Sequence, residues 1–102
     1  MGSQSPKDAN RLKVKIGSKT WFIQFVRSRD IPADRYGDCG YAGGTPIIRV
    51  RRALRNRAAL EILLHEVLHA SRPELSEEAV TTTAIDLARV LWKRGYRHEK
   101  KV

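Results

Sequence analysis

Cysteine is nearly absent: Cys39 stands alone among 102 residues, so no intrachain disulfide framework can hold this chain together. Long apolar runs are missing as well. None approaches the roughly 18 residues that a membrane-spanning helix needs, and no apolar signal region follows Met1. Pro6 stands where a myristoylation signal wants Ser or Thr. There are no internal repeats and no low-complexity tracts. These absences lead to the expectation of a soluble, cytoplasmic protein with no membrane partner. What is present is globular in kind, with 41% hydrophobic and 30% charged residues. A chain this size forms one domain and buries roughly two-thirds of the surface that its unfolded form exposes.

Acid is scarce where base is common. The net charge is +9, but residues 1–57 hold 13 Lys and Arg against 4 Asp and Glu, and residues 87–102 hold 6 against 1. Residues 58–86 invert the pattern, with Arg72 alone against Glu61, Glu66, Glu74, Glu77, Glu78 and Asp86. The basic flanks suit weak, non-specific contact with nucleic acid. The acidic stretch is where chemistry is to be sought.

Residues 1–10 read as a loose leader. Arg11–Ile16 alternates polar and apolar with period two, the pattern of a half-buried strand. Gly17-Ser18-Lys19 makes a turn, and Thr20–Arg27 is rich in aromatic and β-branched residues, so the two runs form a hairpin. Residues 28–45, with Pro32 and four glycines, read as a long loop that is functional or hides a short element. Pro46–Val50 is a short strand. Asn56 is an N-cap candidate for a helix over about Arg57–Ala70, in which Leu60, Leu63, Leu64, Val67 and Leu68 share an apolar face. Ser71–Leu75, with Pro73, breaks it. Ser76 caps a second helix, with Glu77 and Glu78 in its electropositive first turn. Val80, Ala84, Leu87, Ala88 and Leu91 form its buried stripe, and Gly95 ends it. The domain runs to residue 97, and 98–102 is a charged tail. The expected fold is α+β: a mainly antiparallel sheet of three or more strands packed on the first helix, with the second helix behind.

The first helix contains His65-Glu66-Val67-Leu68-His69, an H-E-x-x-H pattern. Imidazoles at i and i+4 leave one helix face together and can bind a single metal ion. The glutamate after the first histidine falls beside the open coordination position. There it can take a proton from a zinc-activated water and deliver it to a leaving amine. Hydrolytic zinc takes three protein ligands, and Glu77 or Glu78, just past the break, can supply the third.

Over Ile62–Glu78 the chain resembles the minimal gluzincins, small zinc metallopeptidases of the H-E-x-x-H…E type, and Leu63–Arg97 is similar to short phage-associated and bacterial metallopeptidase-like proteins. SprT-like enzymes share the H-E-x-x-H helix more distantly. The resemblance implies a zincin-like hydrolase binding one Zn²⁺ per chain through His65, His69 and a glutamate, with Glu66 as general base. Such peptidases often carry a polar residue four positions after the glutamate ligand and a small one seven after. Counting from Glu77 finds Thr81 and Ala84, and Glu77 also lies near the buried stripe, so it is expected over Glu78. Thr81 departs from the carboxylate common at that place. In zincin-like folds the strand before the metal helix is the cleft-side edge, where a peptide adds as a strand. This implies substrate contacts at Ile47, Ile48 and Arg49.

Weaker signals surround the motif. Cys39 is either an idle loop thiol or a switch that blocks the metal. Tyr36, Tyr41 and Tyr96 are candidates to stabilise an oxyanion, each with a packing role as the plainer alternative. The expected function is a monomeric zinc peptidase acting on peptide or protein. The alternatives are a basic nucleic-acid-binding module, or a latent zinc-binding domain without turnover.

Overall fold

The alternating run Arg11–Ile16 forms strand β1 and the aromatic run forms β2 (Lys19–Val26) in the computed structural model, which describes residues 11–52 and 56–97. The two pair antiparallel, with Lys13 opposite Phe22 and Val14 opposite Trp21. Gly17 in the turn takes φ 64°, a conformation that costs glycine little. The leader over 1–10 and the tail over 98–102, His98 included, lie outside the described residues.

The stretch expected to be a loop holds two elements. A single 3-10 turn spans Ser28–Asp30, and Gly37–Ala42 forms a strand, β3. Its sequence, Gly-Asp-Cys-Gly-Tyr-Ala, is poor in strand formers, and pairing overrides that weak local preference. β4 (Thr45–Arg51) follows across Gly43-Gly44, both at positive φ, and pairs antiparallel with β3. β4 also pairs with β2 in parallel, Ile23 opposite Ile48 and Phe25 opposite Val50. The strand order is β1-β2-β4-β3. Two of the three pairings are antiparallel and the third is parallel, so the sheet is mixed.

This order corrects a second expectation. β4 has partners on both sides, so Ile47, Ile48 and Arg49 cannot receive a peptide by strand addition. The edge beside the helices is β3, because the chain leaves β2, crosses the end of β4 and returns along its far side.

Side chains alternate across a strand, so the register divides the sheet into two faces. Trp21, Ile23, Ile48 and Val50 share one face, are all 5% exposed or less, and form the core. Helix α1 (Asn56–Ser71) lies over this face with Ile62, Leu63, Val67 and Ala70 against it. Leu60, Leu64 and Leu68 are half-buried, and the deepest residue of α1 is Glu66.

Helix α2 (Glu77–Arg94) packs back on α1 through Val80, Ala84 and Ala88. Ser76 Oγ accepts the Ala79 amide at 3.1 Å, and Gly95, at φ 102°, donates its amide to the carbonyls of Leu91 and Trp92. Leu87, expected in the buried stripe, is 41% exposed, since two small alanines make the contact instead. Among the described residues no helix is long and apolar enough to cross a membrane.

Candidate metal centre

Side chains four apart on a helix sit one above the other. His65 and His69 obey this: their ring centroids are 4.8 Å apart, edge to face, and their Nε2 atoms are 3.2 Å apart. The chain reverses just beyond them. The Arg72 amide donates to Leu68 O at 2.8 Å and the Leu75 amide to Arg72 O at 3.1 Å. The Ser76 cap then fixes the first turn of α2, and Glu77, its first residue, meets both histidines. Glu77 Oε2 is 2.9 Å from His65 Nε2, and Oε1 is 2.9 Å from His69 Nε2. Glu78 lies outside this group.

The donor set suits zinc, being two imidazole nitrogens and one carboxylate. Tetrahedral bonds of about 2.0–2.1 Å place ligand atoms about 3.3 Å apart. The observed separations of 2.9, 2.9 and 3.2 Å are near that spacing. The side chains of His65 and His69 are 18% and 28% exposed and that of Glu77 is 69% exposed, so solvent can reach the group. Among the described residues no side-chain hydrogen bond orients either Nδ1.

Glu66 is 7% exposed. Its seat depends on a residue that is missing a side chain. A Cβ on Gly37 of β3 would lie 2.9 Å from Ile62 Cγ2 and 3.1 Å from Glu66 Cγ, so glycine there lets α1 close against the edge strand. Burial pushes the Glu66 carboxyl up to about 7, the carboxylates of Asp38 and Glu77 add to the rise, and the Arg35 guanidinium opposes it. A carboxyl titrating near neutrality can both accept and return a proton.

Several other residues singled out in the sequence take different places. Arg49 grips Asp38 directly across the β3–β4 ladder with both ends of its guanidinium, and donates to Asp30 O at 3.0 Å. Ile48 is fully buried and Ile47 faces away from the helices. Cys39 sits in β3, half-buried against the core beside Ile48. Burial, with help from Glu66 and Asp38, pushes its thiol up to about 11, so it stays protonated and makes a poor metal ligand. Tyr41, at the far end of β3, accepts from Lys19 Nζ at 2.9 Å and packs beside Trp21. Tyr96 follows the far end of α2, and the Tyr36 ring lies under Arg51, 5.1 Å from its guanidinium carbon. None of the three tyrosines joins the histidines. Gly37, Asp38 and Arg35, which shape or tune the Glu66 site, went unnoticed in the sequence. Only the density of glycine in 37–44 hinted at a close approach there.

Comparison of the chain with family models, with curated proteins and with solved structures finds no match in any of the three.

Proposed function

We propose that this chain is a zinc-dependent peptidase, with His65, His69 and Glu77 as the metal ligands and Glu66 as general base and then acid. The observation that carries the proposal is the convergence of His65 Nε2, His69 Nε2 and the Glu77 carboxylate within 4.8 Å of one another, beside a buried glutamate. Zinc bound there supplies a Lewis acid, polarising a carbonyl and acidifying a water. Glu66 holds the proton removed from that water and passes it to the departing amine. Its partial desolvation keeps its carboxyl basic enough to accept the proton at neutral pH.

The substrate strand in this reading is laid along β3. β3 is one of the two sheet edges, its Gly37 end stands over Glu66, and among the described residues no strand pairs with its outer side. An extended peptide gains its affinity from those groups.

The test is the metal content of protein purified without added zinc, beside His69→Ala, followed by cleavage of a mixed peptide library. About one zinc per chain, lost in His69→Ala, is expected. Glu66→Gln is expected to keep zinc and lose cleavage. A wild-type chain that is folded but neither contains nor takes up zinc would overturn the proposal. A chain that holds zinc and cleaves nothing would keep the site and remove the activity.

A further inference from the structure

The face of the sheet turned away from the helices is mostly cationic. β1 places Arg11, Lys13 and Lys15 there, all exposed, and β4 adds Arg49 and Arg51. Against these five cations the strands offer one acid on that face, Asp38, already held by Arg49. The acidic residues of the molecule sit mostly in α1, α2 and the turn between them, on the other side of the sheet.

Two of the cations are fixed in place. The Arg51 guanidinium donates to the carbonyls of Arg35 and Pro32 at 2.9 and 3.0 Å, and Arg49 donates to Asp30 O. Carbonyl acceptors orient the Arg51 guanidinium without cancelling its charge, whereas the charge of Arg49 is offset by the Asp38 carboxylate that it grips. Between the two basic strands lies an apolar platform, Phe22 beside Ile47, with the Arg11 guanidinium 4.1 Å from the Phe22 ring centre. Next in that row comes Gly40, where an added Cβ would meet nothing within 4 Å.

From this arrangement we propose that the open face of the sheet binds single-stranded nucleic acid. Phosphates would lie on Arg11, Lys13 and Lys15 along one side and on Arg51 along the other, with a base against Phe22 and Ile47. A duplex keeps its bases stacked inside and leaves that platform without a partner. A single strand satisfies both the charge and the aromatic ring, which is how sequence-tolerant single-strand binding is built. The inference does not depend on the zinc site, which faces the opposite way.

The experiment is fluorescence anisotropy of a labelled oligothymidine of about 20 nucleotides with the full chain, titrated at salt from about 50 to 200 mM. With about four phosphates neutralised, the affinity should fall with a log–log slope of about −3, roughly fifty-fold over that range. Lys13→Ala with Lys15→Ala should flatten the slope by about 1.4 and weaken binding at least about tenfold. Lys93→Ala with Arg94→Ala, which removes the same charge from the end of α2, should change it less than about twofold. Phe22→Leu should weaken the single strand by about fivefold or more. Far-UV circular dichroism of each variant checks that it is folded. The proposal is overturned by absence of binding at the lowest salt, or by equal loss in the two double variants. It is also overturned if duplex binds as well as single strand, or if vesicles of phosphatidylcholine and phosphatidylserine are bound in its place.

Discussion

The two faces of the sheet are built by the same strands, one residue out of step, and they have opposite surroundings. Ile48 is fully buried under α1, whereas its neighbour Ile47 stands on the open side among Lys13, Phe22 and Gly40. Gly37 and Gly40, three residues apart, make the same contrast in the backbone. Gly37 is pressed against Ile62 and Glu66, while Gly40 faces empty space. The covered face must exclude water and seat one carboxylate, so it tolerates little variation. The open face leaves its side chains to solvent and tolerates more.

Truncating the covered face should have the largest effect. Ile48→Ala is expected to cost about 3–4 kcal/mol in urea unfolding, against about 1 kcal/mol for Ile47→Ala. Similar losses for both would mean that the open face is covered in solution.

The buried carboxylate comes next. The carboxyl of Glu66 titrates at about 7 in the folded chain against an ordinary 4.5, so the folded state holds the extra proton between those values. Stability of the metal-free protein should therefore fall as pH rises from about 4.5 to 7 and stay low above it, by up to about 3 kcal/mol. Glu66→Gln removes this contribution. The wild-type protein minus variant difference in unfolding free energy should become less favourable to wild type over that window, and a difference that stays flat would contradict a buried carboxyl.

A smaller effect separates the glycines. Gly37→Ala should destabilise by about 1–3 kcal/mol, because Arg49 O is backbone and lies 3.0 Å from the new Cβ. Gly40→Ala should stay within about 0.5 kcal/mol of wild type. Smallest of all, Lys13→Ala with Lys15→Ala should leave the urea midpoint almost unchanged, since both side chains are exposed and make no ion pair among the described residues.

Local signals in the sequence carried far for the elements with strong periodicity. The β1–β2 hairpin follows from alternation and Gly17, and α2 from the Ser76 cap and Gly95 stop, because each rests on contacts within a few residues. The pairing of His65 with His69 is likewise a consequence of helical pitch. Strand β3 was not legible, since Gly37, Asp38 and Gly40 disfavour strands and only β4 beside them makes the segment extended. The resemblance put the edge at the strand before the metal helix, and with β3 unseen nothing in the sequence opposed that placement. The depth of Glu66 was hidden for the same reason, because it is β3, at Gly37, that closes over its side chain.

By itself the sequence determined the helix that carries His65, Glu66 and His69, the turn and cap that start α2 at Glu77, and a charge distribution with acids gathered around them. These depend on neighbours along the chain. The tertiary structure alone decided that the Glu77 carboxylate meets both imidazoles at once, that Gly37 lets Glu66 sink beneath an edge strand, and that the cations of β1 and β4 share an open face. Those outcomes depend on which strands pair and where a helix comes to rest, and both are settled by contacts between residues distant in the chain.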